Sequence, residues 1–441
     1  MRITVPFLTF FILFQLISVL MRNEYIYHQT LDKVAINAVH TPLGNIQSHQ
    51  PFLKPDNSNM INFDAEFYKF IMDHGYNLTI AGKDFVFAFP PMFPYIWKIT
   101  LLPPIGIPFL NFFFFIIGII ILSRCLKERS FLYSSWPLAI LPGLVVFLIP
   151  YSEAVFFATI SLAIFGRLKN NYPLFFIGLM LAAMTRSVAL IIMISFFMTE
   201  LFFFFSGRKL RFHLVSFLKN ILPILTGTII VSLIQLLYKS GSFFKFAEVH
   251  KYWNHTFSIP GPASDWSTEG FGISVASIFI IGIPALAFIF LHKKKPNEKE
   301  NMHSYFYLLS SFFLGGSVLF VIFFQQGSLH SLFRYIVCSP FFIFLLFTTD
   351  IRKIEVRQRI FFFLLCFFSA MFYLSTSHYG NSWDFSDTGF FLLFFSVGLW
   401  LFQDKINLKL FHSLAFILVF INAVWTAYLF NMYLSGTWLF L

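Results

Sequence analysis

The chain has 441 residues, a formal net charge of +11, 58% hydrophobic residues, 21% aromatic ones (68 of them Phe) and 12% charged ones, with a mean hydropathy of +0.75. A soluble domain carries about twice that charged fraction, roughly a quarter of its residues, so the composition excludes a water-soluble globular protein and predicts one membrane domain over residues 1–441. The basic excess does not call for nucleic acid, because Lys and Arg sit in short clusters between apolar runs, as the positive-inside rule requires.

In lipid each backbone polar group must be satisfied within its own segment, so long apolar runs read as helices, and their unbroken apolarity excludes a β-barrel, whose strands alternate. The runs predict helices near 4–21, 105–122, 131–149, 153–166, 172–185, 188–205, 214–238, 271–291, 304–324, 335–349, 360–377, 388–402 and 410–432. This is an all-α membrane protein of about 11–13 spans. Met1 and Arg2 followed by an apolar run with no small-residue cleavage pattern read as an uncleaved anchor. Cys125, Cys338 and Cys366 are scattered and odd in number, which indicates neither a disulfide framework nor a zinc site.

Alternate connections contain Arg2; Arg124, Lys127 and Arg129; Arg167 and Lys169; Arg208, Lys209, Arg211 and Lys219; Lys293, Lys294, Lys295 and Lys299; Arg352, Lys353, Arg357 and Arg359; and Lys405 and Lys409. These are 20 of the 31 Lys and Arg, and they mark the cytoplasmic side. Residues 22–104 then form a long first outer loop and 239–270 a second, with further outer connections near 150–153, 186, 325–334 and 378–387.

The unusual polar residues fall on this outer side. In the first loop, Asn62 to Tyr76 reads as a short interfacial helix with Phe63, Phe67, Phe70 and Ile71 on one face and Asp64 and Tyr68 on the next; Glu66 adds a second carboxylate. An acid held beside apolar groups can take a proton from a bound alcohol. Tyr151-Ser152-Glu153 places a carboxylate at the junction of two runs, where an ionisable group marks a cavity or a partner, or caps the helix. Arg186, in Thr185-Arg186-Ser187, and Arg334, in Arg334-Tyr335, lie on the side where the positive-inside rule does not ask for cations. Each needs an anionic partner, a carboxylate or a phosphate. Trp253 follows Glu248 in an aromatic and polar segment that suits sugar stacking or the membrane interface. His250, His255, His330 and His378 lack ligand spacing, so no metal is expected. P-loop, dinucleotide, GxSxG and HExxH patterns are absent, and nucleotide coupling is unsupported.

Phe63-Asp64, Tyr68, Gly75-Tyr76, Ala88-Phe89-Pro90 and Pro94, then Tyr151-Ser152-Glu153, Thr185-Arg186-Ser187, Trp253 and Arg334-Tyr335, in that order over residues 60 to 340, resemble the PIG-V family of mannosyltransferases. These enzymes add the second mannose of the glycosylphosphatidylinositol anchor and have bacterial relatives. The resemblance implies a GT-C-like bundle, an outward-facing active site, no cofactor, a polyprenyl-phosphate-linked sugar as donor, mannose by family likeness, and a lipid-linked or other glycan acceptor. It implies Asp64 as catalytic base. The chemistry of an inverting transfer adds Arg334 and Arg186 as stabilisers of the departing phosphate and Glu153, Tyr68 and Tyr151 as positioning groups for sugar or acceptor, with Glu66, Trp253 and Tyr335 also expected to bind substrate. One departure stands out: the family has a His-Trp or similar pair before the acid, where this chain has Asn62-Phe63. That bears on acceptor recognition and points to a bacterial cytoplasmic membrane rather than the endoplasmic reticulum. A secondary transporter or a flippase for a lipid-linked glycan is the alternative from another class.

Overall fold

The computed structural model describes residues 2–32, 51–77, 84–125, 135–205, 210–253, 257–259, 277–285, 302–324, 332–349, 351–376 and 387–437; the side chains of a few of these, Trp253 among them, lie outside the description. The expected helix 271–291 falls mostly outside these residues, as do His255, His330, His378 and the basic loop around Lys293. Among the described residues every regular element is helical and no strand occurs.

The main helices are α1 (Val5–Met21), α2 (Asp64–His74), α3 (Met92–Thr100), α4 (Ile107–Ser123), α5 (Ser135–Ile140), α6 (Glu153–Leu168), α7 (Tyr172–Ala183), α8 (Ala189–Phe205), α9 (Leu210–Leu237), α10 (Met302–Phe324), α11 (Leu332–Ile336), α12 (Pro340–Thr348), α13 (Val356–Thr376), α14 (Asp387–Phe402) and α15 (Leu408–Leu434). Four stretches, Pro104–Ser123, His213–Leu237, Met302–Phe324 and Leu408–Leu434, are long and apolar enough to cross a membrane. They also expose apolar side chains, such as Leu214, Leu218, Leu222, Leu225, Ile229 and Leu233 along one side of α9. Stripes of this length facing water would be unstable, and lipid removes that cost. The chain is an all-α, membrane-embedded protein.

Small residues let the central helices approach closely, as lipid-embedded packing requires. A Cβ at Gly178 of α7 would stand 2.6 Å from the Ala163 nitrogen of α6, and one at Gly118 of α4 would stand 2.7 Å from Cε1 of Phe157 on α6. Contacts between elements also sort the connections into two ends. Glu200, His213 and Tyr305 meet at one end, where Arg359 also pairs with Asp404. Gln235 donates to the Phe87 carbonyl at the other end, and Tyr433 to that of Met60.

Two expected helices are broken. Residues 131–149 do not form one span: α5 ends before Pro142, Gly143 takes a left-handed conformation (φ 87°), and only the turn Leu144–Phe147 follows. Proline supplies no amide hydrogen and Gly143 reverses the winding, so the helix cannot propagate. The stretch is nevertheless buried, and its carbonyls must find donors. Asn422 Nδ2 donates to Ala139 and Leu141 at 3.0 and 3.1 Å, and Asn111 Nδ2 donates to Ile149 and Tyr151. Residues 335–349 likewise split into α11 and α12, the second capped by Ser339 Oγ, which accepts from the Phe341 and Phe342 amides. The two breaks pack on each other, and a Cβ at Gly143 would lie 2.8 Å from Cδ2 of Phe333 and 3.3 Å from Cys338 Sγ.

Candidate functional site

The broken elements carry the site. Where α5 fails and the chain restarts as α6, Glu153 is the first helical residue; where the second break begins, α11 presents Arg334 one residue after the Phe333 that packs on Gly143. Arg334 Nε donates to Glu153 Oε1 at 2.6 Å, and its Nη2 pairs with the same oxygen. Arg334 Nη2 also reaches Asp64 Oδ2 at 3.1 Å. Arg186, in the turn between α7 and α8, pairs through Nη1 with Glu153 Oε1. Four charges from four distant segments thus form one cluster, with two guanidinium groups on a shared carboxylate and a second carboxylate at the edge.

Burial grades this cluster. Side-chain exposure is 4% for Glu153, 8% for Arg334, 14% for Arg186 and 24% for Asp64. The Arg334 guanidinium lies 4.8 Å from the Tyr151 ring centre and that of Arg186 lies 5.7 Å from the Tyr335 ring centre, both within cation–π range. Glu153 Oε2 is buried and has no hydrogen-bond partner among the described residues. A buried carboxylate oxygen of this kind normally finds a donor, in the protein or in a ligand.

Asp64 begins α2 from an unusual corner. Phe63, immediately before it, has φ 55° and ψ −122°, a conformation that an L-residue holds only when its surroundings enforce it. The enforcement comes from α15. Tyr433 donates through its hydroxyl to the Met60 carbonyl at 2.9 Å, its own carbonyl accepts from Asn62 Nδ2 at 2.7 Å, and its ring lies 6.3 Å from that of Phe63 and 6.0 Å from that of Tyr151. One aromatic residue therefore backs both the acid and the ring under Arg334. The expected apolar face of this helix is corrected as well: Phe63 is outside it, and the buried residues are Ala65, Tyr68 and Ile71. The reason is that Tyr68 turns inward, packing edge-on against Phe89 and Phe93 and sharing a 2.8 Å hydrogen bond with Ser152 Oγ. Burial, reinforced by the Asp64 charge, pushes the Tyr68 phenol well above its usual range, so it stays a neutral hydroxyl.

Of the residues expected to bind substrate, the structure brings together Asp64, Tyr68, Tyr151, Glu153, Arg186, Arg334 and Tyr335. Glu66 is not among them: its side chain is exposed and makes no hydrogen bond or ion pair among the described residues. Trp253 ends the turn Val249–Trp253, whose Tyr252 meets Phe85, so this segment joins an aromatic wall with Phe67, Tyr76 and Phe87. Lys245 and Asp84 tie the same two loops together at 2.7 Å. Among the described residues no group of three His, Cys, Asp or Glu could hold a metal ion. Sequence reasoning missed Tyr433, Asn111, Asn422 and Gly143. Lone amides inside apolar runs and the Pro142-Gly143 pair were the available signals.

Comparison with protein families, curated proteins and solved structures finds no match to this chain.

Proposed function

We propose that the chain is a multi-pass membrane glycosyltransferase of GT-C type. In this reading it moves a sugar, mannose by the resemblance of its motifs, from a polyprenyl phosphate to a hydroxyl of a lipid-linked or other acceptor, with its active site outside the cytoplasm of a bacterial cell. One observation supports the reading above the rest: Asp64, Glu153, Arg186 and Arg334, spread over 270 positions of sequence, meet in a single cluster.

Inverting transfer needs a base for the acceptor and cationic stabilisation for the departing phosphate. Asp64, the most exposed of the four, takes the proton from the acceptor hydroxyl. The acceptor oxygen forms its bond to the anomeric carbon as the bond from that carbon to the phosphate oxygen breaks, and the electron pair leaves with polyprenyl phosphate. Arg334 and Arg186 face the charge that develops there. Glu153 holds both guanidinium groups in place, a role closer to scaffolding than to direct sugar contact. No acid is needed for the leaving group, because phosphate departs as an anion.

The test is purified protein in lipid nanodiscs with a polyprenyl-phosphate sugar and a lipid extract. Release of polyprenyl phosphate together with a glycosylated acceptor is expected, and Asp64→Asn should abolish it. Full transfer by Asp64→Asn would remove Asp64 as the base. Movement of intact donor across the bilayer without release would favour a flippase.

A further inference from the structure

The proposed base is engaged in this structure: Asp64 is ion-paired to the arginine proposed to receive the phosphate. We infer that Asp64 is a displaceable lid on an anion site, and that a bound phosphate takes its place on Arg334 and thereby frees the carboxylate to act. This rests on the transferase reading for its purpose, and on the ion-pair geometry alone for its mechanism.

Three features select Asp64 as the group that leaves. It is the most water-exposed member of the cluster, so it loses least solvation by its present position and regains it most readily. It holds Arg334 through one contact of 3.1 Å, whereas Glu153 holds the same guanidinium through both Nε and Nη2 and holds Arg186 as well. Removing Glu153 would take from both arginines the carboxylate they share; when Asp64 leaves, the incoming anion replaces it on Arg334. A phosphate offers several acceptor oxygens to a planar guanidinium and competes well with a single carboxylate oxygen. The four resting charges balance, two of each sign, so a phosphate that simply added itself would leave a buried excess of negative charge. Exchange at Arg334 moves Asp64 toward water and the acceptor instead. The base is thus released only when donor is present, which protects the site from deprotonating water or acceptor on its own.

The experiment measures binding and does not depend on turnover. Full-length protein in nanodiscs is titrated with a polyprenyl monophosphate, with the neutral polyprenol of the same chain and with inorganic phosphate, comparing wild type, Asp64→Asn, Asp64→Ala and Arg334→Gln. Asp64→Asn and Asp64→Ala should bind the polyprenyl phosphate about two- to fivefold more tightly, the range expected for removing a partly exposed competing ion pair. Polyprenol affinity should not move, and Arg334→Gln should weaken phosphate binding. Inorganic phosphate tightening by the same factor would locate the effect in the anion; tightening confined to the lipid phosphate would show that the chain is needed to deliver it. Both outcomes support the exchange. Equal or weaker binding by both Asp64 variants overturns it, as does a phosphate that binds no better than polyprenol. The two readings separate cleanly: tighter binding by Asp64→Asn with no transfer by wild type leaves the exchange standing and removes the transferase, and the reverse pattern does the opposite.

Discussion

Replacing Glu153 and Arg186, singly and together, tests whether the cluster is held by the shared carboxylate. Glu153 is 4% exposed and accepts from both guanidinium groups through one oxygen. Glu153→Ala leaves two cations, 14% and 8% exposed, without the carboxylate they share, and Asp64 pairs with one of them. Breaking a buried ion pair from one side costs about 3–5 kcal/mol. Glu153→Gln keeps an oxygen that can accept but removes the charge, so its cost should be about 1.5–3 kcal/mol, the worth of a hydrogen bond to a charged group. Arg186→Gln should cost a similar amount. Because both substitutions delete the same contact, the double variant should be less damaged than the sum by about 1–3 kcal/mol, whereas independent sites add to within about 0.5 kcal/mol. Reversible unfolding in detergent, followed by tryptophan fluorescence, supplies the four values. Strict additivity would mean that the two residues do not share an interaction, and the account of the site would fall with it.

Gly143→Ala should cost about 2–4 kcal/mol, combining the left-handed backbone with overpacking against Phe333, and should weaken phosphate binding because Arg334 follows Phe333; a stable variant with normal binding would contradict the packing of the two breaks. Asn111→Ala and Asn422→Ala each orphan two buried carbonyls and should each lower stability by about 1–3 kcal/mol or more; an unchanged melting curve would mean that other donors serve those carbonyls. Tyr433→Phe keeps the ring but loses the hydroxyl that fixes Met60, so kcat should fall roughly ten- to hundredfold with little change in donor KM; a shift in KM alone would argue against a role in aiming Asp64. Glu200→Ala should destabilise by about 2–5 kcal/mol while leaving phosphate affinity at the opposite end of the bundle untouched.

The unbroken helices were legible because lipid makes the rule simple: an apolar run without strong breakers satisfies its own backbone, and α1, α4, α9, α10 and α15 begin and end within about four residues of the expected bounds. The breaks were less legible. Leu141-Pro142-Gly143 lies in a run as apolar as any other, and hydropathy averages over it. What makes the break tolerable is Asn111 and Asn422, from helices far away in sequence, and no local pattern announces that those amides reach these carbonyls. The site was legible to the extent that its residues broke a rule. Arg186 and Arg334 stood on the wrong side for the positive-inside pattern, and Glu153 stood at membrane depth. Glu66 shares a helical turn with Asp64, but the helix turns Ala65 and Tyr68 inward and leaves the Glu66 side chain exposed. Tyr433 broke no rule, since an aromatic near the end of a membrane helix is ordinary.

Among the described residues, the two buried glutamates show why one charged cluster reads as a site and the other as framework. Glu200 accepts from Tyr305 and Ser216 on one oxygen, at 2.8 and 2.6 Å, and meets His213 on the other at 2.9 Å. Both of its oxygens are engaged, and its partners bind α8, α9 and α10 together. A buried carboxylate with both oxygens engaged rigidifies the helices it joins. Glu153 spends one oxygen on two arginines and keeps the other buried without a partner among the described residues. Beside it, Asp64 holds its arginine by a single contact from a strained corner. In the proposed transferase a phosphate takes the place of Asp64 on that arginine, while Glu153 keeps both guanidinium groups in position. This asymmetry between the two clusters, more than their charge, is why the proposed transfer is placed at the end that holds Asp64.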